Sequence, residues 1–276
     1  MTTVTAEKPT APSNIFCVIA SMVPSLNVVN IVDVNIARRI SESLSDSVGN
    51  VLEIGPGMGV LTKYVLKRNY PNFWVIEIDE ESVRYLENHY PELKNHIYFG
   101  DFLKLDLSQL FSAEKFSVIG NFPYNISSQI LFKVFENRRQ IPEVVGMFQK
   151  EVAERVAAKP GNKIYGILSV LLSVFYDIEY LFTVDEHVFN PPPKVKSAVI
   201  RLVRNDVEAL DCDETLFVQV VKAGFNQRRK TLRNALKALG RSLENVPDNM
   251  LQARAEQLAA NDFIEITKIL EKERKG

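Results

Sequence analysis

The stretch "NVLEIGPGMGVLT", residues 50–62, joins a short apolar run to three closely spaced glycines. The apolar run predicts a buried strand, and the residues that follow the glycines predict the start of a helix. Glycine tolerates positive φ and lets a ligand approach the backbone, and a helix start offers unpaired N–H groups. The spacing differs from the G-x-G-x-x-G dinucleotide pattern, and acidic Glu53 precedes the loop. A cationic or hydroxyl-rich ligand fits this loop better than a pyrophosphate. The alternative is a tight strand–helix turn that binds nothing.

The same alternation of strand and helix continues on both sides of this loop. Strands are predicted at 50–55, 72–79, 96–101, 116–121, 143–149, 173–184 and 197–204. Helices are predicted at 33–45, with Asp33 as N-cap, and at 60–68, 80–89, 126–136 and 150–158. Alternating buried strands and helices indicate an α/β fold, in which helices cover both faces of a parallel sheet. The last two strands are expected to form a hairpin that closes this sheet.

Composition limits the class of protein. The chain has 276 residues, 46% of them apolar, and a net charge of −1, which is typical of a globular protein without a general attraction to nucleic acid. Cys17 and Cys212 lie far apart, so we expect a reducing, cytoplasmic location rather than a disulfide framework. No His and Cys spacing predicts a metal site, and the apolar run near the N-terminus is too short and too interrupted for a membrane span.

Acidic residues follow the second and third predicted strands. Glu77 ends "VIEID" and can accept hydrogen bonds from ribose hydroxyls, whereas Asp79 more plausibly caps the next helix. Asp101, in "GDFLKLD", can accept from an exocyclic amine, and Phe102 can pack against a purine. With the glycine loop, these residues describe an adenosine site without a phosphate cradle. S-adenosylmethionine, an adenosine that carries a sulfonium, fits such a site.

Asn121-Phe122-Pro123-Tyr124 stands at the predicted carboxyl end of the strand 116–121, beside that site. The amide carbonyl of Asn121 and a backbone carbonyl can both accept hydrogen bonds from a planar amino group. Pro123 stiffens the turn, and Tyr124 can stack on a base. Such a group would orient an exocyclic amine toward a methyl sulfonium by positioning and desolvation, without a strong general base. An ordinary apolar strand end is the alternative.

These segments resemble the S-adenosylmethionine-dependent rRNA adenine N6-dimethyltransferases. The matching motifs are "EIGPGMGVLT", "VIEID", "GDFLKLD" and "GNFPYNISSQILFK". "QKEVAERVAAKPGNKIYGILSVLL", "VFNPPPKVKSAVIRL" and "FNQRRKTLRNAL" resemble the branch that modifies two adjacent adenines in a hairpin of 16S rRNA, within an immature small subunit. The resemblance begins near Asp33. It implies a Rossmann-like class I methyltransferase sheet followed by a small all-helical domain.

The resemblance also assigns roles to individual residues. It implies that Gly55, Glu77, Asp101 and Asn121 bind the cofactor, to which the residues themselves add Glu53 and Gly57. It implies that Asn121, Phe122 and Tyr124 hold a flipped adenine and that Phe189 forms a second aromatic wall. The family usually has Leu after the Asn. Because the backbone carbonyl does the work at that position, we expect Phe122 to preserve activity.

A basic stretch in the last part of the chain is the predicted RNA contact. Residues 216–243 contain no acid but carry Lys222, Arg228, Arg229, Lys230 and Arg233, which would form a basic face on one or two helices. A solvated helix face is the alternative reading. We predict three parts: an atypical, partly disordered segment 1–32, a cofactor-binding methyltransferase domain 33–204 and a helical RNA-binding domain 205–276. The change of composition after Arg204 sets the second boundary.

The segment before Asp33 departs from the family pattern. Members carry a basic stretch and then G-Q-x-F-L-x-D, which closes over the cofactor, whereas this chain reads "SLNVVNIVD". Three explanations compete: divergence with function retained, loss of cofactor closure, or a shifted frame or wrong start. The sharp break favours the third, which reading the other two frames upstream of the Asp33 codon would test.

Two other functions fit part of the sequence. A large-subunit rRNA adenine methylase is the nearest enzyme alternative, against which the segments "FNPPPKVKSAV" and "NQRRKTLRN" argue. A non-catalytic RNA-binding assembly factor would follow if cofactor closure had been lost. We expect a monomer, because no segment indicates an oligomer interface.

Overall fold

The computed structural model describes residues 30–272 of the chain. The predictions made for residues 1–29, including the missing cofactor lid and the apolar run, lie outside the described residues. Asp33 caps the first helix as predicted, because its side chain accepts a hydrogen bond from the Asn35 N–H at 2.8 Å.

The described residues form nine strands and eleven α-helices, joined in places by short 3-10 turns. The strands are β1 (Asn30–Ile31), β2 (Asn50–Ile54), β3 (Asn72–Glu77), β4 (Ile97–Phe99), β5 (Ser117–Asn121), β6 (Glu143–Gln149), β7 (Tyr176–Val184), β8 (Phe189–Asn190) and β9 (Ser197–Arg204). The helices are α1 (Val34–Ser43), α2 (Thr62–Leu66), α3 (Glu80–His89), α4 (Ser108–Phe111), α5 (Ser127–Glu136), α6 (Lys150–Val156), α7 (Ile167–Phe175), α8 (Glu214–Asn226), α9 (Leu232–Leu236), α10 (Asp248–Gln252) and α11 (Ala260–Lys272).

Seven strands form one mixed sheet in the order β4-β3-β2-β5-β6-β9-β7. The first five are parallel. β9 pairs antiparallel with both β6 and β7, so it alone runs against the other six strands, which confirms the predicted α/β fold and the closing hairpin. The remaining strands, β1 and β8, form a separate two-stranded sheet.

The strand order places a crevice between β2 and β5. From β2 the chain proceeds outward through β3 to β4, and it then returns to add β5 on the other side of β2. In open α/β sheets, ligands bind outside the carboxyl ends of the strands at such a reversal. Because β9 is antiparallel to β6, its first residue, Ser197, lies at this same edge, opposite Gln149. We call it the carboxyl edge.

The sheet carries an apolar cluster on each face. Val51, Val75 and Ile119 belong to one cluster, and their strand neighbours Leu52 and Ile76 belong to the other, as the alternation of side chains in a strand requires. The second of these clusters continues into the helices after residue 205 through their buried residues, which include Phe217, Val220, Phe225, Leu232 and Phe263. The C-terminal helices therefore pack on the sheet domain through a shared apolar cluster.

Several predicted strands have different bounds in the structure, and two of these differences have a clear physical cause. The strand predicted at 173–184 is wrong in its first residues, because α7 continues to Phe175. This helix is buried on nearly every side, so its sequence lacks the polar face that marks a helix. The strand predicted at 72–79 ends instead at Glu77, whose carboxylate accepts the next two backbone N–H groups and so ends the strand.

Candidate active site

The glycine loop forms the first wall of the crevice. Gly55, Gly57 and Gly59 all have positive φ, between 54° and 78°, a conformation that glycine adopts without a steric penalty. The Gly55 N–H donates to the Ile76 carbonyl at 2.9 Å, which holds the loop against β3. A Cβ at Gly59 would lie 2.5 Å from the Tyr90 ring, whose hydroxyl donates to the Gly59 carbonyl. The loop therefore has a conformation that larger residues at the glycine positions would disrupt.

Glu77 organises the end of β3. Its Oε2 accepts from the Gly57 N–H at 3.0 Å, and its Oε1 accepts from the N–H groups of Ile78 and Asp79 at 2.8 and 3.0 Å. A carboxylate has about four lone-pair sites, so Oε2 retains the capacity for one further donor such as a ribose hydroxyl. Ile78 beside it is 49% exposed and offers an apolar surface at the carboxyl edge.

Glu53 is buried in β2, next to the glycine loop. Its side chain is 1% exposed, and its Oε2 has no hydrogen-bond partner among residues 30–272. Burial raises the pKa of this carboxyl to about 8; the nearby Thr62 hydroxyl partly offsets this rise, and the negative charge of Glu77 adds to it. At neutral pH the group is mostly protonated, and a cation bound beside it would favour its ionised form.

Asp101 begins the loop that follows β4. Its Oδ1 accepts from the Leu103 N–H at 2.9 Å, while its Oδ2 lies 3.8 Å from Lys104 Nζ. The Gly100 N–H donates to the Glu77 carbonyl at 2.8 Å, so the ends of β3 and β4 are joined. Phe102 is 4% exposed and packs within the core, which holds the loop against the sheet domain.

The loop after β5 forms the second wall of the crevice and lies next to the first. A Cβ at Gly55 would lie 3.9 Å from Pro123 Cδ, so the glycine loop and the Asn121-to-Tyr124 segment are neighbours in space. Asn121 is half-buried at the end of β5, opposite Met147 of β6. The two motifs that sequence separates by more than sixty residues therefore face each other across the crevice between β2 and β5.

Phe122 contributes its backbone, not its ring, to this wall. The ring is 1% exposed and packs edge-on against Phe148, with ring centroids 4.9 Å apart. It occupies the space above Gly120 and Gly146, which are partners in register on β5 and β6; a Cβ at Gly120 would lie 2.6 Å from it. The prediction that Phe122 holds a base is thus limited to its backbone carbonyl.

Tyr124 is half-buried, and its hydroxyl oxygen lies 2.5 Å from Ser197 Oγ. Burial raises the pKa of the Tyr124 phenol, and the hydrogen bond with Ser197 opposes this shift. Phe189 is 3% exposed and belongs to the apolar cluster that contains Ile31, its partner in the pairing of β1 with β8. The proposed second aromatic wall is therefore a buried residue in this conformation.

The predicted RNA-binding residues do not share one helical face. Lys222 lies on α8 and Arg233 on α9, but Arg228, Arg229 and Lys230 lie in the turn between these helices. The Arg228 guanidinium donates to the carbonyls of Lys163 and Tyr165 at 2.5 and 2.8 Å, and Arg233 pairs with Asp248 at 2.6 Å. Arg229 and Lys230 are exposed. The expectation of a basic helical face is corrected to an exposed basic turn.

Sequence reasoning missed two residues that support the site. Lys133 of α5 reaches the loop after β4, and its Nζ donates to the carbonyls of Phe102 and Leu105, both at 2.5 Å. A lysine between Leu131, Val134 and Phe135, which are buried, was the signal available for it. Ser197 carried no such signal, because a serine at a strand end is common.

Within residues 30–272, no helix combines the length and apolar composition that a membrane crossing requires. In the same range, no group of three or more His, Cys, Asp or Glu side chains could hold a metal ion.

A seven-stranded sheet with a glycine loop, an acid at the end of β3 and an adjacent polar–aromatic loop defines a Rossmann-like methyltransferase. The family model for ribosomal RNA adenine dimethylase matches residues 30–272, and the chain belongs to that family.

Two relatives that share one name are similar to this chain over most of their length. The chain is 59% identical over 242 residues to ribosomal RNA small subunit methyltransferase A of Cytophaga hutchinsonii, covering 86% of this chain and 93% of the relative. It is 55% identical over 240 residues to the protein of that name from Flavobacterium johnsoniae, covering 87% and 92%.

Solved structures share the fold. A dimethyladenosine transferase from Plasmodium falciparum superposes with a TM-score of 0.72 at 25% identity, covering 88% of this chain and 98% of that one. The 23S rRNA methyltransferase ErmE superposes with a TM-score of 0.63 at 24% identity, covering 86% and 98%.

Proposed function

We propose that this chain transfers methyl groups from S-adenosylmethionine to the N6 amino groups of two adjacent adenosines in a 3′-terminal hairpin of 16S rRNA, two to each adenosine. The observation that carries the proposal is the closeness of Gly55 to Pro123, whose Cδ would lie 3.9 Å from a Cβ at Gly55. It brings the adenosine-type site and the Asn121-to-Tyr124 loop to one crevice. We further propose that the substrate is an immature small subunit and that the chain acts as a monomer.

The cofactor side of the crevice fits S-adenosylmethionine. Glu77 keeps one lone pair for a ribose hydroxyl, and Asp101 Oδ2, which lies 3.8 Å from Lys104 Nζ, can accept from an exocyclic amine. Gly55 and Gly57, both at positive φ, let a ligand approach the backbone, and Asn121 ends the strand next to β2. Buried Glu53 has an oxygen without a hydrogen-bond partner among residues 30–272. The bound cofactor would supply a methyl group on a positively charged sulfur.

The substrate side uses positioning rather than a strong base. The Asn121 side-chain oxygen and the Phe122 carbonyl accept the two N–H groups of the adenine amine, which directs the nitrogen lone pair toward the methyl donor. The Tyr124 ring stacks on the extruded base. The proton leaves after the C–N bond has formed, when the nitrogen is strongly acidic, so orientation and desolvation account for the rate.

Small-subunit specificity rests on the identity to relatives of that name, 59% and 55% over 86% and 87% of this chain. ErmE, named for 23S rRNA, shares the fold at much lower identity, so a large-subunit activity is the second candidate. The third candidate, an assembly factor without catalysis, differs in its prediction for the cofactor. Titration with S-adenosylmethionine would show no binding if that candidate were correct.

The direct test is methyl transfer to purified small and large subunits isolated from cells that lack this modification. We expect radiolabel from S-adenosylmethionine to appear in 16S rRNA, at two adjacent adenosines located by primer extension. Label in 23S rRNA would instead support the second candidate.

Asn121→Ala tests the proposed chemistry. Loss of the amide removes one of two acceptors that orient the amine, so we expect transfer to fall at least about a hundredfold. Binding of the small subunit, measured on filters, should stay close to wild type. Asn125→Ala, which removes an exposed amide from the same loop, is the matched control. Full activity of Asn121→Ala would contradict the proposed mechanism.

A further inference from the structure

The Tyr124 hydroxyl is fastened to a residue for which no role has been assigned. Its oxygen and Ser197 Oγ lie 2.5 Å apart, and either can donate the hydrogen bond. Ser197 is completely buried, at the first position of β9. Tyr124 is only half-buried, so its hydroxyl bonds to a buried residue while part of the residue remains accessible.

The sheet topology makes this bond a tether across a strand. Tyr124 follows β5, Ser197 begins β9, and β6 lies between these two strands. The same loop is held to β6 by the Phe122 N–H, which donates to the Met147 carbonyl at 3.1 Å. Because β9 is antiparallel, its beginning meets the carboxyl ends of β5 and β6, so the serine lies level with the loop.

We propose that Ser197 is a positioning residue for methyl transfer, which holds the Tyr124 ring in the plane that stacks on the target adenine. This inference rests on the proposed function. A half-exposed tyrosine without the bond would sample other orientations. Since catalysis here depends on orientation, a misplaced ring lowers the rate even when substrate and cofactor still bind.

The experiment is a double-mutant cycle on the full chain with small subunits as substrate. Ser197→Ala and Tyr124→Phe each remove one oxygen of the pair, and the second variant keeps the stacking ring. We measure kcat at saturating cofactor and subunits, cofactor affinity by calorimetry, and the urea midpoint of unfolding. Ser117→Ala is the matched control, since Ser117 is also completely buried in a central strand, but its hydroxyl lacks a partner in the described part of the chain.

We expect Ser197→Ala to lower kcat about tenfold, with cofactor affinity within about twofold of wild type. Tyr124→Phe should have the same effect, and adding Ser197→Ala to it should lower kcat no further. Ser117→Ala should match the wild type.

Three results would overturn the inference: unchanged kcat in Ser197→Ala, an equal further loss in the Tyr124→Phe background, or a Tyr124→Phe enzyme without measurable transfer. The second would mean that Ser197 acts through the fold, and the third that the hydroxyl does more than anchor the ring. An inactive wild type would instead refute the proposed function, which separates the two failures.

Discussion

At the scale of single residues, environment decides what each side chain of the site can do. Glu53 and Glu77 are both acids at the ends of neighbouring strands, but Glu77 accepts three backbone N–H groups whereas Glu53 Oε2 is buried without a partner among residues 30–272. Hydrogen bonds to the charged form stabilise a carboxylate, and burial destabilises it. The two acids therefore have different roles in the same crevice.

Glu53→Gln tests the raised pKa of Glu53 through stability. The pKa is about 8 in the folded chain and near the ordinary value of 4.5 in the unfolded chain, so the folded state binds more protons between these values. Stability from this group is greatest below the unfolded pKa and is lost as pH rises toward 8. The variant lacks this loss.

The measurement is urea unfolding of both proteins from pH 5 to pH 8. We expect the stability of Glu53→Gln relative to wild type to increase with pH, by at most about 1.4 kcal/mol per unit. Glu87→Gln, which alters an exposed acid on α3, should follow the wild type. A pH-independent difference between Glu53→Gln and wild type would disprove the raised pKa.

At the scale of elements, α5 holds the loop that follows β4. Lys133 lies 31 residues beyond Phe102 in the chain, yet its Nζ donates to the Phe102 carbonyl and lies 4.9 Å from the centre of the Phe102 ring. A second bond, to the Leu105 carbonyl, fastens the other end of this loop. Asp101 thus owes its position partly to a helix on which no cofactor residue was expected.

Lys133→Met tests this link between helix and loop. The change keeps an unbranched side chain of similar length but leaves two carbonyls without their donor, and hydrogen bonds to a charged group are among the stronger ones. We expect affinity for S-adenosylhomocysteine, measured by calorimetry, to fall about tenfold while binding of small subunits is retained. Lys115→Met, at an exposed position before β5, is the control. Wild-type affinity in Lys133→Met would show that the loop needs no such support.

At the scale of the whole molecule, the helical region after residue 205 has two features. It shares an apolar cluster with the sheet domain, and it contains the basic turn between α8 and α9. Arg138, 8% exposed, pairs with Glu214 at the start of α8, and Arg228 bonds to the segment that follows α6. These bonds join the two proposed domains. We still propose a domain boundary near residue 205. The interface between the sheet domain and the helical region is largely apolar.

Arg229→Glu combined with Lys230→Glu tests the basic turn. Both side chains are exposed, so reversal of their charge should weaken subunit binding and reduce the slope of log affinity against log salt by about 2. Cofactor affinity should not change. The control is Lys94→Glu with Lys115→Glu, which makes the same change of charge at exposed positions. These positions precede β4 and β5 and so lie at the edge of the sheet opposite the carboxyl edge. An equal loss of binding in both double variants would assign the effect to net charge.

Arg228 lies in the same turn, but its side chain is hydrogen-bonded within the protein. Its guanidinium is engaged by backbone carbonyls, so Arg228→Gln should lower the urea midpoint and leave the salt dependence of binding nearly unchanged. A reduced salt slope in this variant would instead support a direct contact of Arg228 with RNA.

The sequence by itself determined the class of fold, the glycine loop, the acids at the strand ends and the polar–aromatic loop after β5. Each of these depends on residues close together in the chain, where periodicity, glycine and capping residues act locally. The caps at Asp33 and Asp79 were predictable for the same reason. The limits of α7 were not, because a helix buried on all sides has no polar face to mark its period.

Only the tertiary structure decided which groups meet. The order of strands brings Gly55 against Pro123, directs the Phe122 ring into the space above two glycines, and buries Glu53 without a partner among residues 30–272. It also pairs Tyr124 with Ser197 across 73 residues of chain and bonds the Arg228 guanidinium to the carbonyls of Lys163 and Tyr165. Such contacts depend on how distant segments cross in a packed sheet, and the free energy of that packing is a property of the whole chain rather than of any short segment.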